Sequence, residues 1–295
     1  MSCLSEDNGK ADLSGIVALV TGANTGIGYV TAMNLAEKGA KVFVHGRNKS
    51  KIESAAESIS KISGGGGVEA LVADFSEMDQ VRALAEEVKE RSDRLDILVN
   101  NAGLILGDRV VTVDGMETTF AVNHMAPFVL THELADLLFA SAPSRVVTVA
   151  SDWHRATSGL NFDDLQHEKA YDGKVAYQRS KLANIYFGRV LARRWEDRGV
   201  TSNTLHPGVV RTRFGQDGDM SGFLSLLFKM ARPFFLTPEK GARTSIYLAS
   251  SPEVSETTGS YFSKCRPVEP SKAAQDDTAA ERLWKVTADL AGMTP

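Results

Sequence analysis

The chain has 295 residues, 43% of them hydrophobic and 24% charged, with a formal net charge of -4. This is the balance of a folded globular chain with one large domain or two small ones, and it argues against a nucleic-acid binder working through bulk positive charge. The two cysteines, Cys3 and Cys265, make neither a CxxC pair nor a zinc-ligand spacing, which speaks against a disulfide framework and a structural metal and suits a reducing cytoplasm.

Residues 1–12 are polar and of mixed charge, lack the apolar stretch of a secretory signal, and read as a flexible tail. Residues 16–20 form an apolar run that ends in a glycine-rich turn, and 29–38 have helical spacing that stops at Gly39. A second short strand is predicted at 42–45. A helix follows at 49–63, with Ile52, Ala55, Ala56, Ile59 and Ile62 on one face. Further strands are predicted at 68–73, 95–99 and 145–149. A helix at 79–91 and one or two helices within 115–140 separate them. Then come a long helix at 174–198, a strand at 202–205, a helix at 238–250 and a last strand at 259–263. The apolar patch at 220–228 is far short of the ~20 residues of a spanning helix, and peripheral membrane contact stays open. Strands apolar on both faces and separated by helices predict a doubly wound parallel sheet with helices on both faces, in a single α/β domain over 13–266. A C-terminal tail or helix, 267–295, follows it.

The turn after the first strand reads TGANTGIG, Thr21 to Gly28. Gly22, Gly26 and Gly28 permit a tight turn and close backbone approach, and the helix that follows points free N–H groups and a positive dipole end at whatever sits there, as a pyrophosphate requires. NNAG follows at Asn100 to Gly103, YQRSK at Tyr177 to Lys181 and HPGVVRT at His206 to Thr212. With these four motifs in this order, the chain resembles the short-chain dehydrogenase/reductase family over about 14–265. Within that family the segment FDDLQHEKAYDGKVAYQRSKLAN is most similar to the retinol dehydrogenase, WW-domain oxidoreductase and protochlorophyllide reductase relatives.

The resemblance implies a Rossmann-type fold and a nicotinamide dinucleotide. It implies that Gly22, Asn24, Thr25, Gly26, Ile27 and Gly28 cradle the pyrophosphate. Asp74 would meet the adenine amine, Asn101, Ala102 and Gly103 would lie along the cofactor, and Pro207, Gly208, Val209 and Thr212 would hold the nicotinamide end. Asn100 is expected to tie strands together. The family's usual acidic residue after the second strand falls on Gly46, and Arg47 follows it. A carboxylate that would repel a 2′-phosphate is absent and a guanidinium that can fork onto it is present, so NADP(H) is preferred over NAD(H).

Tyr177 and Lys181, four apart in a helical stretch, lie on one face. A free tyrosine has a pKa of about 10, and an adjacent ammonium or the positive ring of an oxidised nicotinamide is expected to lower it toward the range a general acid/base needs. By resemblance Ser151 orients the substrate oxygen, Lys181 also binds ribose, and Asn123 is the family's helix-kink Asn, which holds a water beside Lys181. Thr148 and Ala150 depart from the family's usual Asn and Ser near Ser151. His154 and His206 have no metal-ligand spacing and read as core or loop residues. The apolar segment 214–236 falls where the family has its substrate lid and suggests a lipophilic substrate. The expected activity is NADP(H)-dependent interconversion of a carbonyl and an alcohol on a small lipophilic molecule, by a homo-oligomer, dimer or tetramer. The alternatives are reduction of a C=C bond and a non-catalytic dinucleotide-sensing protein.

Overall fold

The computed structural model describes residues 11–63, 67–209 and 236–294. Its strands are β1 (Val17–Val20), β2 (Lys41–Gly46), β3 (Val68–Val72), β4 (Ile97–Asn100), β5 (Ser144–Val149), β6 (Val200–His206), β7 (Tyr261–Ser263) and β8 (Arg266–Pro267). They form one sheet in the order β3-β2-β1-β4-β5-β6-β7-β8. All neighbours run parallel except β7 and β8, a short antiparallel end. Ala18 lies opposite both Val42 and Ile97, so β1 is the strand from which the chain winds out in both directions. In such sheets the crevice at the carboxyl ends of the two strands flanking the reversal is where ligands bind.

The helices are α1 (Gly26–Glu37), α2 (Lys49–Ser63), α3 (Met78–Arg91), α4 (Thr118–Phe120), α5 (Ala126–Glu133), α6 (Ala135–Ala140), α7 (Gly173–Arg194), α8 (Pro238–Ser250) and α9 (Asp277–Ala291). One apolar layer joins α3, α5 and α7 to one face of the sheet. A second joins α1, α2 and α8 to the other face. The central strands bury both faces, which is why they read as continuous apolar runs. β3 is an edge strand, and Val72 at its end is exposed. Ile62, expected on the apolar face of α2, is 53% exposed, because the packed stripe ends with Ile59.

The 115–140 region begins its helix only at Thr118, where the Glu117 carboxylate accepts from the Thr119 and Phe120 N–H groups. Residues Ala121–Met125 then make a π turn, and the stretch breaks at Leu134. The long helix stops at Arg194, and a separate 3-10 turn at Glu196–Arg198 completes the predicted span. Beyond β8, α9 packs Leu283, Trp284 and Ala288 into the main apolar layer, with Trp284 stacked on Phe187 of α7 at 6.0 Å. Arg193 pairs with both Asp277 and Glu281 across this contact. Cys265, just before β8, is buried and its N–H donates to the Thr244 hydroxyl of α8 at 3.3 Å. No described helix is long and apolar enough to cross a membrane.

Candidate active site

The site starts from the glycine turn. Gly22 and Gly26 both have φ near +64°, a left-handed backbone that side chains rarely adopt. A Cβ on Gly28 would collide with the Gly22 carbonyl oxygen and the Asn101 amide nitrogen. The N-cap of α1, Thr25, makes no side-chain capping bond, and the first turn holds no acidic residue. The helix therefore presents uncapped N–H groups, with their partial positive charge, to the space in front of it. These features fit the pyrophosphate of a dinucleotide.

Neighbouring strands hold the turn in place. The Thr21 hydroxyl accepts from the Asn101 and Ala102 N–H groups at 2.9 and 3.0 Å, and the Asn101 amide donates to the Thr21 carbonyl at 2.7 Å. Asn101 thus ties β4 to β1, the role expected of Asn100. Asn100 itself donates to Thr131 of α5 at 3.1 Å.

A cavity of about 610 Å³ opens at the carboxyl edge of the sheet. Gly22, Asn24, Thr25, Gly26, Ile27 and Gly28 line one part, and Arg47 and Asp74 lie at one end. Asn101, Ala102 and Gly103 lie along the middle, and Ser151, Tyr177, Lys181, Pro207, Gly208 and Val209 close the other end. Thr212 and all of the expected 214–236 lid except Leu236 lie outside the described residues. The Leu236 N–H donates to the Val209 carbonyl at 2.8 Å.

Asp74 uses Oδ1 for the Ser76 N–H and hydroxyl, at 2.9 and 2.7 Å. The first N–H of α3 is taken by Asp114 instead, so Asp74 does not cap that helix. Asn123 sits inside the π turn, fully buried, where a solvent-facing role is ruled out. Its amide exchanges bonds with the Leu104 N–H and carbonyl at 2.7 and 2.9 Å and donates to Ser180 of α7 at 2.9 Å. Asn123 is not among the residues that line the cavity, but its Oδ1 and Lys181 Nζ both face the space that a Cβ on Gly103 would fill, at 3.2 and 3.3 Å.

Ser151 follows β5 and caps the 3-10 turn Asp152–Ala156, where its Oγ accepts from the Trp153 N–H at 3.2 Å. The same hydroxyl lies near enough to the Tyr177 phenol to favour its ionised form. Since Oγ already accepts from Trp153, its own hydrogen is free to point at the phenol oxygen, the arrangement that favours a phenolate. Lys181 Nζ donates to the Val149 carbonyl at 3.0 Å and lies 5.6 Å from the Tyr177 ring centre.

Burial decides the electrostatics. It pushes the Tyr177 phenol up to about 12, with Ser151 pulling weakly the other way, and pushes Lys181 down to about 8. This corrects the expectation that the adjacent ammonium by itself brings the phenol down. Desolvation disfavours both charged forms, and the Lys181 ammonium donates to the Val149 carbonyl. The free protein should accordingly hold Tyr177 as a neutral phenol throughout the neutral range. A phenolate absorbance titration of the wild type minus Tyr177→Phe should show this tyrosine ionising above the ordinary value of about 10. Oxidised dinucleotide should move the transition down, and ionisation below pH 9 without it would contradict this account.

Several lining residues escaped the sequence reading. Lys51 stands one helical turn past Arg47, and both exposed cations face the same end of the cavity. An i, i+4 cation after Arg47 was the available signal. Leu104, Ile105, Val122 and Trp153 line the other end around Ser151 and Tyr177, with Trp153 edge-on to the Tyr177 ring at 5.6 Å. His206 also lines the cavity and accepts from the Asp152 N–H at 3.2 Å, whereas His154 is fully buried and accepts from the Ser271 N–H.

The short chain dehydrogenase family profile matches residues 16–219. Retinol dehydrogenase 14 of Homo sapiens is 40% identical over 295 residues, covering 95% of this chain and 88% of that protein. Retinol dehydrogenase 12 of Homo sapiens is 41% identical over 284 residues, covering 96% and 89%. Among solved structures, a protein of Mycobacterium paratuberculosis superposes with a TM-score of 0.77 at 30% identity, covering 96% of each chain. The Pseudomonas aeruginosa RhlG/NADP active-site complex superposes with a TM-score of 0.68 at 30% identity, covering 85% of this chain and 95% of that one. The chain belongs to the short-chain dehydrogenase/reductase family, among its retinol dehydrogenase-like members. It is an NAD(P)-dependent oxidoreductase acting on alcohols and carbonyls.

Proposed function

We propose that this oxidoreductase uses NADP(H) to interconvert a carbonyl and an alcohol on a lipophilic small molecule, with Tyr177 as the general acid/base. The observation that carries the reading is that Ser151, Tyr177 and Lys181 line one end of the cavity that begins at the glycine turn. The dinucleotide supplies or accepts the hydride when bound. In the reductive direction Ser151 holds the substrate oxygen and Tyr177 delivers its proton to it. In the oxidative direction Tyr177 takes that proton back. Lys181 supports the phenolate and binds ribose. Asn123 acts as a positioning residue that fixes the Gly103–Leu104 backbone against α7, and a water beside Lys181 completes a path for protons to solvent. Gly46, Arg47 and Lys51 support the preference for NADP(H), since a 2′-phosphate there meets two cations and no carboxylate stands at the position directly after His45.

Leu104, Ile105, Val122 and Trp153 support a lipophilic substrate. Retinoid-like and other long unsaturated aldehydes, in keeping with the names of the relatives, are the first candidates. The protein is placed in the cytoplasm, with peripheral membrane contact where a lipophilic substrate is drawn from a bilayer, and as a homo-oligomer. The test is turnover with NADPH and NADH against a series of aldehydes, ketones and enones. Reduction of enone C=C bonds without carbonyl reduction, or no turnover despite dinucleotide binding, would replace this reading.

The apolar wall makes its own prediction. Burying apolar surface contributes roughly 25 cal/mol per Å², so losing about 60–100 Å² of contact with Trp153 costs about 1.5–2.5 kcal/mol. Trp153→Ala should therefore lower kcat/KM for long-chain or ring aldehydes by about ten- to seventyfold. Short aldehydes, which do not reach the indole, should change by less than threefold. Equal loss across the series would place Trp153 in support of Tyr177 instead.

A further inference from the structure

His45, near the end of β2, is a polar residue on a strand whose neighbours Phe43 and Val44 are apolar core. It is 3% exposed, yet it is one of the residues that line the cavity. Its Nε2 lies 3.0 Å from the Ala73 carbonyl, which can only accept, so Nε2 carries the hydrogen. Nδ1 is then the acceptor, and the Gly22 N–H donates to it at 3.4 Å. The backbone carbonyl of the same residue accepts from the Ala23 N–H at 2.9 Å. The ring stacks on Phe75 at 4.2 Å with the planes 15° apart.

These contacts reach all three strand ends that carry one half of the site. Gly22 and Ala23 open the glycine turn after β1. Ala73 and Phe75 bracket Asp74 after β3. Gly46, the last residue of β2, and Arg47 just beyond it follow His45 directly. We infer that His45 is a positioning residue for the dinucleotide, its neutral imidazole fixing the glycine turn, Asp74 and Arg47 relative to one another. The inference rests on the dinucleotide reading of the site. An apolar side chain at this position would fill the same space. It would leave the Ala73 carbonyl and the Gly22 N–H without these partners and the turn without its cross-link to β3. Burial holds the imidazole down at about 4 against the opposing pull of Asp74, so the tautomer that this network needs persists through the neutral range.

The test separates the two bonds from the ring. His45→Phe keeps the stacked ring and removes both side-chain bonds. His45→Gln can still donate toward Ala73, and His45→Asn can still accept from Gly22. NADPH and NADH are titrated by fluorescence onto the wild type and the three variants, each also followed by thermal melting and by steady-state kinetics. His45→Phe should raise the Kd and KM for NADPH about tenfold, far more than kcat falls. His45→Gln and His45→Asn should each recover part of that affinity. Unchanged affinity in His45→Phe overturns the inference, as do equal losses in all three variants that track their melting temperatures. A wild type that binds neither dinucleotide overturns the inference together with the reading beneath it. Normal wild-type binding with an indifferent His45→Phe overturns the inference alone.

Discussion

Tyr177→Phe should lower kcat in both directions by about 10²–10⁴, the range typical of a lost general acid/base. The substitution is well suited to the question. The ring keeps its edge-on contact with Trp153 and its place 5.6 Å from Lys181 Nζ, and loses only its hydroxyl. Dinucleotide affinity and melting temperature should therefore move little. The pH profile supplies a second readout. Burial pushes the free-state phenol up to about 12, so the proton that reduction needs is present at neutral pH. Reductive kcat should be flat through neutrality and fall as pH rises through the phenol's bound-state pKa. Oxidative kcat, which needs the phenolate, should rise over the same interval. Near-wild-type turnover in Tyr177→Phe, or the opposite pH slopes, would remove Tyr177 from the proposed role.

The second large effect concerns the choice of dinucleotide. Gly46→Asp combined with Arg47→Ala should reverse a preference for NADPH, because the new carboxylate repels a 2′-phosphate and accepts from a free 2′-OH. The substitution fits the fold. A Cβ on Gly46 meets Ile52 at 3.4 Å and Asn24 at 3.6 Å, ordinary contacts that need no backbone shift. Lys51 lines the same end of the cavity, so Arg47→Ala alone should leave part of the preference, and Arg47→Ala with Lys51→Ala should remove most of it. Charge-assisted bonds of this kind are worth about 1.5–3 kcal/mol each, or about 10- to 160-fold per cation in the NADPH to NADH ratio of kcat/KM. A wild type that already prefers NADH would show that these cations are merely solvated.

Much of this was legible in the residues themselves. Apolar runs alternating with amphipathic stretches gave the order of strands and helices, because periodicity reports which faces must leave water. The span of α2 and that of α8 were predicted to the residue. The glycine turn, NNAG and the Tyr177–Lys181 spacing were readable because each is a local device. A left-handed turn needs Gly22 and Gly26 in place, and a shared helix face needs a spacing of four.

Other features are fixed only by what lies across the fold. A helix kink at Asn123 was expected by resemblance, but that it is a π turn whose amide bonds Leu104 and Ser180 depends on the packing of α7 beside it. The helix at Asp277–Ala291 was readable as an extension, but that Trp284 completes the main apolar layer depends on which face of α7 was left to cover. His45 read as one more residue in a short strand until β3 brought Ala73 and Phe75 against its ring. The sequence alone determined that Tyr177 and Lys181 share a face. Only the tertiary structure decided their charge state, because that balance depends on desolvation, and desolvation is set by every group that excludes water from them.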